Sequence, residues 1–453
     1  MKRPLLFKFL AIGLLMLLLL IPISMIGNSI DERRTYSEQV VRDIASSSSH
    51  SQTLVGPVLV VPYSKIERTW TVNDKKERVV EERTVTGKLH FLPDLFRVSG
   101  EITTELRKLG IYAARLYHAD TQVDGHFMVP VDYGIKNNLA DYTFFKPYVA
   151  VGISDIRGIK NSLKLQLNNQ SYEFEPGSEL KILGDGVHAA FPLDVLQVTN
   201  EQNQKLSFSF NLLLDGTEQL HFSPIGKETH VELRSDWPHP RFVGNFLPVE
   251  RSVAETGFSA RWQTSYFSTN FSEYFYTCVR TNECDQYQQR QFGVSLIDPV
   301  NQYVKSDRAI KYALLFIALT FASFFLFEVL KRLQVHPVQY GLVGMALAFF
   351  YLLLLSLAEH IGFALAYGIS SVACVLLIGF YVSHVLQSLW RGIGFTAGLS
   401  FLYALLYGLL SAEDYALLMG SLLLFVLLGV FMMLTRKVDW YALGNGKADS
   451  IKE

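Results

Sequence analysis

Ionisable residues lie at the ends of two long apolar segments, and they are the first candidates for chemistry in this sequence. Glu328 is near the end of one segment, and Glu359 and His360 end the next. A charge inside lipid is costly, so an intramembrane acid commonly marks a proton or ion pathway, and a histidine beside an acid can respond to pH. The plainer interpretation pairs Glu328 with Lys331 or Arg332 at helical spacing. For Glu359 and His360 the plainer interpretation is a hydrated helix end.

A second candidate is the segment 235–248, with the sequence SDWPHPRFVGNFLP. Trp237 and His239 alternate with prolines there, and such a segment cannot form a central strand because proline has no N–H to donate. Rigid aromatic and partly polar groups suit a recognition loop carried by a β scaffold. They suit a structural corner packed against the sheet equally well, and the sequence leaves both interpretations open.

Cys278 and Cys284 lie close together in the stretch YTCVRTNECD, and Cys374 lies in an apolar segment. If the first two face an oxidising compartment, we expect them to form a local disulfide. A metal site is a weaker interpretation, because no Cys-x-x-Cys motif or neighbouring histidine pair supplies further ligands. Cys374 is expected to be a small packing residue.

The sequence lacks the common catalytic and cofactor signatures. It contains no Gly-x-Ser-x-Gly, His-Glu-x-x-His, Gly-x-x-x-x-Gly-Lys-Ser/Thr or Gly-x-Gly-x-x-Gly motif. We therefore predict no catalytic residue, no cofactor and no metal. The formal net charge of -1 gives no support to a nucleic-acid partner, which requires a basic surface.

Six apolar segments approach the ~20 residues that cross a bilayer as a helix. The first, residues 9–28, follows basic residues and lacks a convincing signal-peptidase site, so we predict an uncleaved anchor. The other five are predicted to form a bundle within residues 309–434. They cover residues 309–330, 338–358, 361–385, 393–410 and 415–434. Gly394 and Gly398 in the fifth span favour close helix packing.

Charges in the short loops predict the orientation, because cytoplasmic loops carry an excess of lysine and arginine. Lys331, Arg391 and Arg436 fall on one side of the predicted bundle, and Glu359 and Glu413 fall on the other. Both ends of the chain, residues 1–8 and 435–453, are thus predicted to be cytoplasmic. Residues 29–51 are predicted to continue the first helix outward and to end in a serine-rich frayed end or linker, and residues 52–307 are predicted to lie in the periplasm.

Residues 52–307 carry the period-two pattern of strands that bury one face. Alternating apolar residues occur at Leu163, Leu165 and Leu167, at Leu206, Phe208, Phe210 and Leu212, and at Phe258, Ala260, Trp262 and Tyr266, with Thr264 on the same face as the last group. Turn signals such as Gly184-Asp185-Gly186 separate the runs. The predicted fold is a polytopic helical membrane protein with a large antiparallel β sandwich or barrel-like domain inserted after the first helix. Whether this insertion forms one domain or two, with a boundary near residues 175–178, stays open.

Several stretches resemble the CreD family of bacterial inner-membrane proteins along the whole chain. They include ERRTY after the anchor, LVGPVLVVPY, SDWPHPRFVGNFLP, GFSARWQ and DRAIKYALLFIALTFASFFLFEVL. The resemblance implies a place in the inner membrane of Gram-negative bacteria and a role in cell-envelope integrity. It also implies a link to a two-component regulon that responds to envelope stress and growth conditions, and a link to the β-lactam response. It implies no catalytic residues, and the cysteine pair at 278 and 284 is not a feature associated with the family.

Two functions remain as hypotheses. In the first, the β domain binds an unidentified envelope partner in the periplasm without catalysis, and the helices anchor it in the lipid bilayer. In the second, the helix bundle is a transporter or an intramembrane enzyme that uses Glu328, with Glu359 and His360 at its mouth. The first is favoured, because a single intramembrane acid is weak support for a transport pathway.

Overall fold

The computed structural model describes residues 4–72, 78–196, 202–282, 284, 289–296, 302–331, 335–386, 388–411 and 416–436. The chain forms two compact units. Met1–Glu38 and Val300–Glu453 form the first, which we call the helical unit, and Gln39–Pro299 forms the second, which we call the β unit. The β unit is a single stretch of chain inserted after most of the first helix, so the candidate boundary near residues 175–178 does not divide it.

The helices of the described residues are α1 (Pro4–Ser47), α2 (Tyr266–Thr269), α3 (Phe271–Thr281), α4 (Gln302–Lys311), α5 (Ala313–Lys331), α6 (Pro337–Ile361), α7 (Phe363–Val385), α8 (Leu389–Ser411) and α9 (Ala416–Thr435). The first helix, α1, has 44 residues and contributes to both units. At ~1.5 Å per residue it is ~66 Å long, about twice the thickness of a hydrocarbon core.

Among the described residues, four helices are long and apolar enough to cross a membrane: α1 from Phe7, α6, α7 and α8. A fifth span results if α4 and the first part of α5 are counted together, although they are bent by 45°. Within the predicted span 309–330 the straight apolar helix begins only at Ala313. The preceding helix α4 is charged, because it carries Lys305, Asp307, Arg308 and Lys311. In α9 the apolar stretch Leu418–Val430 is shorter. Six spans stay a prediction.

The ends of α6 are defined by local sequence. His336 accepts a hydrogen bond from the Val338 backbone N–H at 3.3 Å, and Gln339 accepts one from the His336 N–H at 3.0 Å. Together these bonds form a capping box, and Pro337 follows it at the first helical position, where no N–H is needed. Gly362 ends the helix with a φ of 79°, a conformation that glycine adopts without strain.

The β unit contains 17 strands among the described residues. They are β1 (Gln52–Val72), β2 (Arg78–Phe91), β3 (Leu95–Leu109), β4 (Tyr112–Val129), β5 (Tyr142–Phe144), β6 (Tyr148–Ile153), β7 (Lys164–Leu167), β8 (Gln170–Glu173), β9 (Glu175–Pro176), β10 (Gly186–Ala190), β11 (Gln204–Thr217), β12 (Gln219–Phe222), β13 (Glu228–Ser235), β14 (Arg241–Gly244), β15 (Glu250–Ala254), β16 (Gly257–Ser265) and β17 (Phe292–Ser295). Short 3₁₀ turns lie at Val131–Gly134, Leu139–Asp141, Ile156–Gly158, Lys181–Leu183 and Leu193–Val195.

The described strands form two mixed sheets. One has nine strands in the order β14-β17-β12-β1-β6-β10-β9, with β2 and β5 also paired to β1. The other has eight strands in the order β15-β16-β13-β3-β4-β11-β7-β8. The pairs β1–β12 and β3–β13 are parallel. The prediction of an antiparallel domain is wrong for these two pairs, because long connections return the chain beside β1 and β3 in the same direction.

Both sheets contribute to one hydrophobic core, as expected for a sandwich. Trp262 of β16 and Phe292 of β17 are fully buried, and their ring centroids are 5.7 Å apart across the two sheets. The period-two prediction for Leu206, Phe208 and Leu212 is confirmed, since all three are buried. Burial of these alternating side chains supplies the driving force for the fold, at about 1.5–3 kcal/mol for each large apolar residue.

The predicted buried face of β16 is correct for four of its five residues. Phe258, Ala260, Trp262 and Thr264 are buried, but the Tyr266 side chain is 43% exposed. Tyr266 begins α2, because β16 ends at Ser265 and the chain turns into a helix there. The alternation of strand residues therefore stops one residue before the predicted end.

The serine-rich segment after α1 is not a frayed end, because it is hydrogen-bonded to the β unit. The Ser49 hydroxyl donates to the Asp215 carbonyl oxygen at 2.8 Å. The Ser49 carbonyl oxygen accepts from the Thr217 hydroxyl at 2.6 Å, and the Thr217 N–H donates to the His50 carbonyl oxygen at 3.2 Å. Ser49 is fully buried. These bonds join the start of β1 to the end of β11.

Asp155 also forms a hydrogen bond with the segment between α1 and β1. Its carboxylate accepts from the His50 backbone N–H at 3.0 Å and from two guanidinium nitrogens of Arg157 at 2.9 and 2.6 Å. Hydrogen bonding to Arg157 lowers the pKa of Asp155 to about 2. The carboxylate therefore stays ionised near neutral pH, in the form that accepts hydrogen bonds from His50 and Arg157.

Candidate functional site

Glu328 is a buried carboxylate with three hydrogen-bond donors, and its residue is 8% exposed. Oε1 accepts from the Lys8 ammonium group and from the Val335 backbone N–H, the latter at 3.3 Å. Oε2 accepts from the Tyr340 hydroxyl at 3.0 Å. Phe321 packs edge-on against the Tyr340 ring, with centroids 5.5 Å apart.

This arrangement joins α1, α5 and the start of α6 through one side chain. A buried carboxylate is stable when a counter-charge and further donors satisfy its oxygens, and Glu328 has both. The ion pair is formed with Lys8, which is 320 residues away in the sequence. The partners expected from helical spacing were Lys331 and Arg332; the side chain of Lys331 and all of Arg332 lie outside the described residues. The geometry is that of a structural clamp between helices.

Glu359 forms a second clamp at the far end of α6. Its side chain is 10% exposed and lies 3.8 Å from the Nε of Arg33, while the Tyr303 hydroxyl donates to it at 3.3 Å. His360 is exposed. Arg33 and Lys8 are 25 residues apart on α1, a rise of ~37 Å, which is close to the thickness of a bilayer core with part of its interfaces. At the end of α6 the Glu359 side chain is largely buried beside Arg33 and Tyr303, whereas the His360 side chain is exposed.

Trp237 is buried in the core of the β unit, whereas His239 is exposed. Trp237 is 6% exposed, and its indole N–H donates to the His239 carbonyl oxygen at 2.9 Å. The Arg115 guanidinium lies 3.8 Å from the centre of the Trp237 ring, in a cation–π contact. The neighbouring Asp236 carboxylate accepts from the Thr104 backbone N–H at 3.0 Å. These contacts favour the structural corner over the recognition loop.

The cysteines have structural surroundings. Cys278 of α3 forms a disulfide with Cys284, with Cα atoms 4.7 Å apart, and Cys278 is 2% exposed. Cys374 of α7 is buried and free, and its Sγ accepts from the Tyr403 hydroxyl at 3.2 Å. Among the described residues there is no group of three or more His, Cys, Asp or Glu side chains that could hold a metal ion.

A polar groove lies on the outer face of the eight-stranded sheet. A groove of about 810 Å³ crosses strands β13, β3, β4 and β11 and the edge of β7. Its walls are hydroxyl, amide and charged side chains, and the described lining contains no histidine or cysteine. They are Ser99, Glu101, Asp120, Gln122, Asn161, Ser162, Lys164, Gln166, Ser209, Asn211, Glu232 and Arg234, with Gly100 and Phe210. We call this surface the polar groove.

Strand register brings the groove side chains into rows. Glu232 pairs with Ser99, Ser99 pairs with Gln122, and Gln122 pairs with Asn211. Adjacent strands are ~4.8 Å apart, so the four side chains of this row span ~14 Å at regular spacing. Such a row offers a repeating series of hydrogen-bond donors and acceptors to an extended polar ligand.

The next row of the polar groove places two carboxylates opposite each other. Glu101 of β3 pairs with Asp120 of β4, and Arg234 of β13 pairs with Glu101 from the other side. Like charges directly opposite in a sheet are destabilising, by about 0.2–1 kcal/mol. Arg234 is also 2.9 Å from Glu232 of its own strand, so this cation lies beside one carboxylate and opposite another. Charged groups of both signs are therefore available to a ligand in the polar groove.

The sequence alone did not predict the polar groove, although it predicted which polar side chains of β11 face outward. Ser207, Ser209 and Asn211 are the polar partners of the alternating apolar residues in β11, so their outward orientation follows from the pattern. Which residues of other strands lie beside them depends on register, and the parallel return of β13 beside β3 has no local signal. The sequence therefore predicted the face but not the site.

Two comparisons place the chain among known proteins. The family model described as inner membrane protein CreD matches residues 4–441. The chain is 38% identical over 454 residues to inner membrane protein CreD of Escherichia coli (strain K12), and the match covers 100% of this chain and 97% of that protein. A match of this extent includes the helical unit and the β unit together. The chain belongs to the CreD family of inner membrane proteins.

Proposed function

We propose that this protein supports cell-envelope integrity by binding a polar, glycan-rich component of the envelope in the polar groove. The observation that carries the proposal is the groove itself, about 810 Å³ in volume and lined by amides, hydroxyls and charges of both signs. The centre of a protein–protein interface is usually apolar and aromatic. A lining that offers mainly hydrogen bonds suits a polyhydroxylated ligand better than a protein partner.

In the proposed topology the chain crosses the inner membrane six times, with both ends in the cytoplasm and the β unit in the periplasm. Family membership and the apolar helices support the membrane location. The positions of Arg391 and Arg436 at the ends of helices support the orientation, because short cytoplasmic loops are enriched in basic residues. A disulfide between Cys278 and Cys284 is consistent with an oxidising compartment for the β unit.

The proposed action is binding without catalysis. A general acid needs a partly buried carboxyl group, but Glu101 and Asp120 in the polar groove are both exposed. In the helical unit, Glu328 already accepts hydrogen bonds from Lys8, Val335 and Tyr340. A transport pathway through this carboxylate would require breaking those bonds, so transport is the less supported function.

Filling the polar groove should abolish function without unfolding the protein. Ser99 is exposed and lines the groove, and a Ser99→Arg side chain would occupy the space of a ligand. Because the position is on the surface, the change in the free energy of unfolding should stay within ~0.5 kcal/mol. The measurement is complementation of an Escherichia coli strain that lacks its CreD protein, scored by survival in detergent and a β-lactam, with abundance followed by blotting.

Thr103→Arg is the matched control, because Thr103 is exposed on the same strand and the same face, outside the groove. We expect Thr103→Arg to complement as wild type does and Ser99→Arg to fail at equal abundance. Full complementation by Ser99→Arg would show that the polar groove is not the functional site.

A further inference from the structure

The tip of the β3–β4 hairpin is an exposed group of aliphatic and basic residues. Leu106, Leu109 and Ile111 are 45%, 56% and 38% exposed. Arg107 and Lys108 lie between them and are also exposed. Gly110 makes the tight turn possible with a φ of 64°. We call residues 106–111 the hairpin tip.

The hairpin tip lies at the end of the β unit where the chain arrives from α1 and leaves toward α4. The Glu218 N–H donates to the Arg115 carbonyl oxygen at 3.1 Å, and the Leu296 N–H donates to the Glu218 carbonyl oxygen at 2.7 Å. The neighbouring Thr217 is bonded to His50. Residues just after α1 and just after β17 therefore meet the hairpin near Arg115, and the tip is ~17 Å further along the strand.

The composition of the hairpin tip is that of a membrane-surface contact. Aliphatic side chains at a water-exposed turn are unfavourable in water and favourable in the interfacial region of a bilayer. Lysine and arginine beside them attract anionic headgroups, by about 1 kcal/mol each near a charged surface. Two cations and no acidic residue in the tip give charge complementarity with an anionic surface.

We infer that the hairpin tip binds the anionic surface of the membrane in which the chain itself is embedded. Leu106, Leu109 and Ile111 enter the headgroup region, and Arg107 and Lys108 contact acidic lipid phosphates. The contact holds the β unit at the membrane through a third point, in addition to its two covalent connections. This inference is independent of what the polar groove binds.

The test uses the full-length protein in lipid nanodiscs. A Leu109→Cys variant is labelled with an environment-sensitive fluorophore. Labelling without reductant keeps Cys278 and Cys284 in their disulfide, and Cys374 does not react because it is buried. Nitroxide-labelled lipids report on contact with the bilayer. The control is Val80→Cys. Val80 is 44% exposed and pairs with Trp70 near the C-terminal end of β1.

In nanodiscs rich in phosphatidylglycerol we expect a blue-shifted emission and roughly twofold quenching at position 109, with neither at position 80. Charge reversal, Arg107→Glu with Lys108→Glu, should remove the quenching, as should nanodiscs of phosphatidylcholine alone. Equal, weak quenching at positions 109 and 80 would overturn the inference. Undiminished quenching in phosphatidylcholine would overturn the recognition of anionic lipid.

Discussion

Replacing Glu328 by alanine is expected to destabilise the protein and to lower its abundance in the membrane severely. The substitution leaves the Lys8 ammonium group, the Tyr340 hydroxyl and the Val335 N–H without their shared acceptor. Removing one partner of a buried ion pair costs about 3–5 kcal/mol, because the other charge stays buried and uncompensated. That is a large part of the stability of most proteins. Abundance by blotting and thermal unfolding in detergent are the measurements.

A second change distinguishes a clamp from a transport site. In the double variant Lys8→Met with Glu328→Gln, both charges are absent and the glutamine can still accept from Tyr340. We expect this variant to recover most of the abundance and to complement a deletion strain. A Glu328→Ala protein that is fully abundant yet inactive would contradict the clamp and would favour chemistry at Glu328.

Trp237→Ala should destabilise the β unit by about 3–5 kcal/mol, the usual cost of truncating a buried aromatic side chain. The loss includes the core contacts of a residue that is 6% exposed and the cation–π contact with Arg115. We expect faster proteolysis of the β unit and a lower melting temperature of the full-length protein, so that any loss of function follows the loss of folded protein.

The matched control is His239→Ala. The His239 side chain is exposed, and only its backbone carbonyl accepts from Trp237, so that hydrogen bond survives the substitution. The expected cost is below about 1 kcal/mol, mainly from the edge contact between the two rings. If His239→Ala abolished function while Trp237→Ala left it intact, segment 235–248 would be a recognition loop and the corner interpretation would be wrong.

The sequence predicted the architecture well where local patterns determine it. Apolar runs identify α6, α7 and α8, because a helix in lipid satisfies its own backbone and needs only length and hydropathy. Alternation identifies the buried face of β11, since a strand shows its two faces in the sequence. The same reasoning missed the break between α4 and α5 and the helix that begins at Tyr266.

Contacts between residues far apart in the chain could not be predicted from the sequence. Helical spacing suggested partners for Glu328 within one turn, whereas the structure pairs it with Lys8 from the first helix. The polar groove needs the register of β13, β3, β4 and β11, and two of those strands are parallel neighbours from distant parts of the chain. Trp237 looked equally suitable for a loop or a corner, because burial depends on which side chains, here Arg115, lie over it.

If the polar groove binds a glycan of the envelope, direct titration of the protein with that glycan will detect the binding. Full-length wild-type, Ser99→Arg and Thr103→Arg proteins in nanodiscs would be titrated with soluble glycan strands from cell walls in a calorimeter. We predict that the wild-type and Thr103→Arg proteins bind equally and that Ser99→Arg binds about tenfold more weakly or not at all. Absence of binding by the wild-type protein, or equal binding by all three, would contradict the proposed function.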